Sequence, residues 1–492
     1  MKITMYFAML VFVMLFVTNI DAADIKKENQ KMVVIPEAIY KAILKRIDTL
    51  QKRLEKLEAK KNTQKKTIMH KEEVTREEIE EIYDTLDRLE TKAIKDRLNW
   101  GAEIRTRMDN FYFKGANYQT GRRIKDHNNN HWSCRFRLNM SAKLSENLIF
   151  HGRLSVTKNW ADNDAQLNYM DFNRGHTPGG STNVQFERAY VDWIVPNFPI
   201  PLAITFGRHP STEGPPVEFK ENRVRQSTYP ALIFDGEADG IVVTLGLERY
   251  LGLKSSALRL CYGKGFQDDD DRYNYLDSSS GVDDTNFLAF FFESQIPKIS
   301  KSLLILSYVR AFDMIDNPLG PQKNIGDMDL FGIHLQAENI IKKGLNLFLS
   351  TGLNRSHPDG TTFINSPAGR INVGLLTNDG KERKTGWSIY TGVRYTLPLP
   401  ALKNPKLGFE YNHGSKYWFT FTQSSIELYN KLATRGNVFD FYYIQPLNKH
   451  LFLRLGYTYL DYEYTGSGMH LGAPKRSHDS LRNIYMLLDC RF

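Results

Sequence analysis

The chain ends on the sequence LRNIYMLLDCRF, residues 481–492, and this stretch decides the fold. Its even-numbered positions from Ile484 to Phe492 are apolar, whereas polar Asp489 and Arg491 lie between them and polar Asn483 precedes them. Successive side chains of a β-strand point to opposite faces of a sheet. The sequence therefore predicts a terminal strand with one apolar face and one largely polar face.

A chain that ends inside such a strand, on an aromatic residue, resembles the outer-membrane β-barrel proteins of Gram-negative bacteria. The resemblance implies that a barrel-assembly machinery recognises the last strand, with Phe492 as the terminal signal. It also implies contact of the barrel surface with outer-membrane lipid and lipopolysaccharide.

The other end of the chain indicates export. Lys2 precedes an apolar run over residues 3–17, and Asp21 and Ala22 follow before the sequence becomes strongly polar. This order is typical of a secretory signal peptide, so we assign residues 1–22 to one, cleaved after Ala22. The apolar run is shorter than the roughly 20 residues that a transmembrane helix needs.

Composition is compatible with a membrane protein only if the membrane is crossed by strands. The mean hydropathy is −0.44, and 25% of the residues are charged. In a transmembrane barrel, only alternate side chains of each strand must face lipid, and the lumen can be polar. The net charge of +9 favours contact with anionic solutes, lipopolysaccharide or peptidoglycan over nucleic acid, because the chain is exported.

No cofactor or metal site is predicted. The twelve histidines lack metal-ligand spacing. The acidic run at residues 268–271 lacks the spacing of a defined calcium loop, and a solvated acidic loop explains it better.

Residues 23–97 predict a periplasmic helical segment with coiled-coil character. Apolar residues at alternating spacings of three and four form two heptad seams: Ile43, Ile47, Leu50, Leu54 and Leu57, then Ile79, Ile82, Leu86, Leu89 and Ala93. The two helices can form a parallel oligomeric stalk, with a homotrimer favoured, or an antiparallel hairpin within one chain.

From Leu98 onward the apolar period changes to two, and the segment 98–492 predicts an all-β transmembrane antiparallel barrel. Sixteen strands are predicted near residues 98–113, 132–144, 148–159, 184–195, 201–209, 239–247, 255–264, 285–296, 302–312, 328–338, 345–353, 385–396, 405–413, 437–446, 450–464 and 481–492. The connections alternate between compact and long, as periplasmic turns and external loops do in membrane barrels. A barrel of this size keeps an aqueous lumen.

Short motifs add a family resemblance. They are Gly207-Arg208 followed by Pro210, the pair Pro215-Pro216, the step Asp239-Gly240 and the strand end Tyr262-Gly263-Lys264-Gly265. Together they resemble an uncharacterised family of porin-like outer-membrane proteins with an N-terminal coiled coil. The resemblance supports a barrel in the outer membrane and names no solute.

The pleat of the first four strands predicts a basic wall inside the pore. The face opposite the apolar one carries Arg105, Arg107, Arg135, Arg137, Arg153 and Arg188. Guanidinium groups stay charged and hold carboxylate or phosphate groups in a fork, so such a wall favours anions. The same arginines can also brace the wall by pairing with neighbouring acids such as Glu103 and Asp109.

The third long connection, residues 210–238, is the predicted constriction. In the general porins that this architecture resembles, the third external loop folds into the lumen and faces a basic wall. By this resemblance, the acids expected to oppose the arginines are Glu218, Glu221, Asp235 and Glu237. The alternative is that this connection is a lid on the outer surface.

The leading functional hypothesis is an outer-membrane, porin-like channel for passive diffusion of small hydrophilic solutes, with a modest anion preference. The alternative is a structural barrel that anchors a periplasmic coiled coil in contact with peptidoglycan. An enzyme is not predicted, because residues such as Ser307 and His334 cannot be paired into a catalytic set from the sequence.

Overall fold

The structure is a computed structural model that describes residues 98–116, 121–160, 184–267, 282–316, 323–365, 371–423 and 427–492. The predicted signal peptide, the predicted helical segment 23–97 and the acidic run at residues 268–271 lie outside these ranges. Within the described residues, no helix is long and apolar enough to cross a membrane.

Sixteen antiparallel strands form one closed barrel in which each strand pairs with its neighbours in the chain. They are β1 (Leu98–Ala116), β2 (Arg123–Ser145), β3 (Leu148–Asn159), β4 (Gln185–Val195), β5 (Leu202–His209), β6 (Ala238–Gly246), β7 (Ala257–Phe266), β8 (Thr285–Ser294), β9 (Ser302–Phe312), β10 (Gly326–Ala337), β11 (Leu345–Pro358), β12 (Thr385–Thr396), β13 (Lys406–Gly414), β14 (Gly436–Pro446), β15 (Leu451–Tyr464) and β16 (Arg476–Arg491). The last strand closes the barrel on the first, with Glu103 opposite Arg491 and Lys114 opposite Ser480.

The connections follow the predicted alternation. Seven compact turns lie at the barrel edge that also carries Leu98 and Phe492, and we call it the short-turn edge. The turn between β6 and β7 contains the helix α2 (Glu248–Leu251). The longer connections, including residues 210–237 with the helix α1 (Val217–Glu221), leave from the opposite edge.

The predicted fold class and all sixteen strands are confirmed. The largest differences in bounds occur at the long-loop edge, where β2 begins at Arg123 rather than near residue 132 and β16 begins at Arg476 rather than near 481. There the strands continue as polar ladders, as in the pairing of Lys114 with Lys125. These strand ends could not be recognised from alternating apolar residues, because neither face of the ladder is apolar.

The outer face of the barrel is apolar. Large side chains such as Ile104, Phe136, Phe331 and Leu353 are 40–50% exposed on it. A soluble protein rarely exposes a continuous apolar surface of this extent, whereas a lipid-facing barrel requires it. The barrel is therefore of the membrane-spanning, outer-membrane type.

Aromatic residues lie near both ends of the strands. Trp100 and Trp193 lie near the short-turn edge, and Trp160 and Trp387 lie near the long-loop edge, all four with 42–57% exposure. Such positions suit the two membrane interfaces, where amphipathic rings are favoured.

The core of the molecule lies inside the barrel. Two connections fold into the lumen: the first inner segment, residues 210–237, and the second inner segment, residues 415–435 without the undescribed 424–426. Short parallel strands, Phe234–Asp235 and Phe421–Thr422, pair the two segments with each other. Leu232, Ile233 and Trp418 of these segments pack on inward residues of β6–β12 such as Phe291 and Ile305.

Replacing Phe331 by Arg tests the assignment of the outer face. Phe331 lies midway along β10 and is 45% exposed. We expect the free energy of unfolding to fall by about 2–4 kcal/mol, because arginine is disfavoured at the bilayer midplane. Urea unfolding of the protein refolded into phospholipid vesicles measures this, with Phe331→Leu as the control. Equal stability of the two variants would contradict a lipid-facing position.

Candidate functional site

The first inner segment is a compact structure rather than an extended lid. The backbone N–H of Ala231 donates to the carbonyl of Pro215 over 2.9 Å, which closes its neck. The helix α1 ends at Asn222, whose left-handed conformation (φ 51°) lets its N–H bond the Glu218 carbonyl. This geometry presents Lys220 and Glu221 to the far side of the barrel.

Glu221 connects the first inner segment to both sides of the barrel seam. Its carboxylate pairs with Arg105 on β1, with Arg454 on β15 at 2.9 Å and with Arg491 on β16 at 3.1 Å. Asp489 completes this group, which we call the tip cluster, by pairing with Arg105 and Arg491 at 2.6 Å each. Because Glu221 is fully buried, these three cations compensate its desolvation.

A second ionic group joins the two inner segments to β14. Lys220 of the first segment contacts Glu427 of the second segment and Asp440 of β14 at 2.5 Å. Lys431 of the second segment also pairs with Asp440, at 2.6 Å. Arg107 of the predicted basic wall reaches the same Glu427. The two segments therefore hold each other in the lumen through buried charges.

A third group, the wall cluster, lies between β1–β4 and the first inner segment. Its members are Arg135, Arg137, Arg153 and Arg223 together with Glu103, Glu187 and Glu213. The shortest contacts are Arg137 to Glu213 at 2.6 Å, Arg137 to Glu187 at 2.7 Å and Arg223 to Glu213 at 2.7 Å. All seven residues except Arg223 have at most 8% of their surface exposed.

Neighbouring arginines lower the pKa of two carboxyl groups of the first inner segment, Glu221 and Glu213. Burial alone would raise the pKa of Glu221, but the guanidinium groups of Arg105 and Arg454 outweigh it and hold the pKa well below its ordinary value. Burial likewise opposes ionisation of Glu213, and Arg137 and Arg223 hold its pKa well below the ordinary value. Both carboxylates therefore stay charged across the physiological pH range.

The structure places all six predicted arginines inside the barrel with 0–8% of their surface exposed. Five of them contact at least one carboxylate, so bracing accounts for much of the wall. Arg188 differs, because its Nη2 donates to the carbonyl and hydroxyl oxygens of Thr212 at 3.2 and 3.3 Å.

The four predicted acids do not share one position. Glu221 opposes Arg105, as expected from the resemblance to general porins. Glu218 instead accepts from Gln336 on β10 at 2.8 Å, and Asp235 accepts from the backbone N–H of Glu213 at 3.0 Å. Glu237 pairs with Arg208 of β5 at 3.0 Å. The acid that faces Arg137 is Glu213, which the resemblance did not single out.

Glu187 was missed because of a backbone irregularity. Between β3 and β4 the register shifts, so that Arg153 pairs with Arg188 and Leu154 pairs with Phe186. Glu187 is the extra residue of this β-bulge, and its carboxylate bonds Arg137 and Arg153 in the lumen. If side chains alternated strictly, the inward position of Arg188 would make Glu187 face lipid. A charged residue at a lipid-facing position was therefore the only signal of the bulge in the sequence.

Apolar side chains pack closely in much of the lumen that β6–β12 line. Trp418 is fully buried, and its indole N–H donates to the carbonyl of Leu432 at 2.8 Å. It lies over Gly352 of β11, where a Cβ atom would come within 2.4 Å of the indole ring. Gly332 of β10 gives Ile233 the same close approach. Glycine at these two positions allows the inner segments to pack directly on the wall.

His334 belongs to a buried hydrogen-bonded group on β10 and β11. Its ring bonds the hydroxyl of Ser350 at 2.7 Å and the amide oxygen of Gln336 at 3.0 Å. All three side chains are buried under the first inner segment, so the group is part of the hydrogen-bonded packing. Within the described residues, no group of three or more His, Cys, Asp or Glu side chains could hold a metal ion.

Two cavities lie between the first inner segment and the wall, the first of them near the short-turn edge. One, of about 360 Å³, is lined by residues that include Glu103, Asn139, Arg153, Arg188, Tyr190 and Gln226. The other, of about 330 Å³, shares Tyr190 and Gln226 and adds His209, Arg225 and Arg259. Val224 at the tip of the segment is 79% exposed. The lumen is thus open to water beside this tip.

A family model with the description "Protein of unknown function (DUF3373)" matches residues 125–489, most of the barrel. The chain belongs to this family. This agrees with the uncharacterised porin-like family that the motifs predicted. No curated protein matches the chain.

Several solved outer-membrane proteins are similar to this chain at low identity. Pseudomonas putida OprB is 11% identical with a TM-score of 0.47, and the match covers 83% of this chain and 97% of OprB. OmpF in a Salmonella typhi OmpF complex with daunomycin is 9% identical with a TM-score of 0.43, and the match covers 80% of this chain and 97% of OmpF. An anion-selective porin from Comamonas acidovorans is 9% identical with a TM-score of 0.43, and the match covers 80% of this chain and 99% of the porin. At these values the likeness carries no argument about function, and the barrel rests on its own strand pairing.

Replacing Glu221 by Gln tests the tip cluster. The change leaves the buried guanidinium groups of Arg105 and Arg454 and the partly buried one of Arg491 without their shared carboxylate, so we expect the free energy of unfolding to fall by about 3–5 kcal/mol. Glu237→Gln is the control, because the Glu237 side chain is partly exposed and its pair with Arg208 is worth about 0–1 kcal/mol. Urea unfolding in detergent compares the two. Similar losses would show that the tip cluster does not hold the segment.

Proposed function

We propose that the protein is an outer-membrane channel of the porin type that passes small hydrophilic solutes. The observation that carries this proposal is a closed sixteen-stranded barrel whose β1–β4 wall is lined by arginines and faces a folded inner segment. Charged side chains that line a membrane barrel and border water are what a permeation path requires. The two cavities beside this wall support the proposed path.

In the described conformation the path is narrow and crossed by ion pairs. The wall cluster spans the gap from Arg137 on β2 to Glu213 on the inner segment at 2.6 Å. The apolar packing around Trp418 fills much of the opposite half. We therefore infer that the inner segments limit conductance, and that solutes pass along the β1–β5 wall rather than through the centre.

A modest anion preference belongs to this proposal. Most charges of the arginine wall are compensated by carboxylates, which weakens the selectivity that six free arginines would give. The preference is supported by the wall cluster, where guanidinium groups outnumber carboxylates by four to three. A small positive excess in a constriction of low dielectric constant attracts anions without excluding neutral solutes.

Assembly and location complete the proposal. Phe492 pairs with Ala102 of β1 through two backbone hydrogen bonds of 3.0 Å, and it is 74% exposed on the closed barrel. Recognition of this terminal residue by a barrel-assembly machinery is part of the proposal. A homotrimer, contact with lipopolysaccharide and lipid, export by residues 1–22 and a periplasmic coiled coil over residues 23–97 remain predictions.

The alternative function is a structural barrel that anchors the N-terminal segment at peptidoglycan. The filled half of the lumen favours it, because Trp418, Phe291 and Ile305 form an ordinary packed core there. Conductance distinguishes the two functions, since an anchor has no need to conduct.

The first experiment is reconstitution of the purified, folded protein into planar bilayers under a KCl gradient. We expect discrete conductance steps and a reversal potential displaced slightly toward chloride. A folded barrel that gives no steps would contradict the channel and favour the anchor.

The variant Gly352→Val tests whether the inner segments limit conductance. A Cβ at this position would come within 2.4 Å of the Trp418 ring, so the second inner segment cannot seat as before. We expect larger or more frequent conductance steps than for the unaltered protein. Thr351→Val, at the next position and on the other face of β11, is the matched control and should conduct normally. Unchanged steps in folded Gly352→Val would show that the segments do not gate the pore.

A further inference from the structure

The larger cavity contains an arginine whose charge is uncompensated by direct contact. Arg188 has 7% of its surface exposed, yet its only hydrogen bonds within the described chain are from Nη2 to Thr212. Its Nε is buried without a partner. Leaving a buried guanidinium nitrogen without an acceptor is unfavourable, so this group is suited to take an acceptor from a ligand.

The surroundings of Arg188 strengthen its need for an anion. Arg153 lies directly opposite on β3, and like charges in opposite positions repel each other. Together with Arg188, the wall cluster holds five guanidinium groups against the three carboxylates of Glu103, Glu187 and Glu213. One bound anion would reduce this excess among the described residues without changing any protein contact.

The rest of the cavity offers groups for hydroxyls. Ser141 and Tyr190 line it, and their hydroxyls make no hydrogen bond to the described part of the chain. Gln226 is held in place, because its Oε1 accepts from Arg153 and its Nε2 donates to the Val224 carbonyl, both at 3.1 Å. Tyr190 is itself fixed by stacking on His151 with ring centroids 4.8 Å apart.

From this arrangement we propose that the cavity is a binding site for a small hydroxylated monocarboxylate, whose carboxylate bonds Arg188 and whose hydroxyls contact Ser141 and Tyr190. The volume of about 360 Å³ lies within the range of small-molecule sites, roughly 300–1,000 Å³. Glu103 also lines the cavity and disfavours a ligand with concentrated double charge such as phosphate. That this ligand is a solute carried through the barrel rests on the channel function proposed above.

Equilibrium binding to the full-length, detergent-solubilised protein tests the site without requiring conductance. Isothermal titration calorimetry at low ionic strength would compare gluconate, glucose and inorganic phosphate as probes. We expect gluconate to bind at least tenfold more tightly than either of the others, because only gluconate combines a single carboxylate with hydroxyls. Arg188→Gln should weaken gluconate at least tenfold, and Arg188→Lys should restore part of the affinity.

Arg208→Gln is the matched control. Arg208 lies on the neighbouring strand β5, pairs with Asp239 at 2.7 Å and lines neither cavity, so gluconate affinity should not change. Heat-modifiable migration of each variant on a gel establishes that it is folded. Tyr190→Phe, which removes one hydroxyl and keeps the ring, should weaken gluconate and leave a plain carboxylate such as acetate unaffected.

The possible outcomes separate this site from the channel. Equal binding of glucose, tighter binding of phosphate, or gluconate binding that Arg188→Gln leaves unchanged would each overturn the proposal. Conductance steps without gluconate binding would overturn the site and leave the channel standing. Gluconate binding that depends on Arg188 in a barrel that does not conduct would support the site and refute the channel.

Discussion

Closure of the sheet is the constraint on which the rest of the structure depends. In a bilayer no water can satisfy an open edge strand, so the last strand must pair with the first. The register from Glu103 opposite Arg491 to Lys114 opposite Ser480 does this over twelve pairs. It also fixes the inward face of β1 and β16, and so brings Arg105 and Asp489 together. Glu221 then contacts β1, β15 and β16 from inside, which places the tip of the first inner segment across the seam.

A closed ring of sixteen strands encloses more space than side chains alone can fill, and this chain fills much of it with its own connections. The two inner segments pack on the wall in chemically different ways. Toward β6–β12 they bury Leu232, Ile233 and Trp418 against apolar inward residues. Toward β1–β4 and β13–β16, charged side chains of the segments pair with wall residues of opposite charge. One lumen thus contains an ordinary core on one side and, on the other, buried ionic clusters that border two polar cavities.

The sequence predicted the barrel well because its signal is local. Period-two alternation and the order of compact and long connections are visible within a few residues, so all sixteen strands were found. Inward arginines followed from the same alternation. The bulge at Glu187 broke that alternation. The second inner segment has the composition of a polar external loop, and the burial of its Trp418 becomes visible only in the folded structure. Which acid meets which arginine depends on the path of residues 210–237 through space, and so Glu213 could not be ranked above Glu218 or Asp235. The signal peptide and coiled coil lie outside the described residues and stay predictions.

The way charge is distributed in the lumen bears on function. A buried ion pair is seldom the most stable way to fill a protein interior, because apolar residues of similar volume often do better. This chain fills the lumen around Trp418 with apolar side chains, so apolar packing is available to it elsewhere in the lumen. Along β1–β4 it instead keeps arginines such as Arg153 and Arg188 opposite each other, an arrangement that costs stability. Such a wall is understandable if water and solutes reach it, since a barrel that served only as an anchor would gain from a fully apolar core.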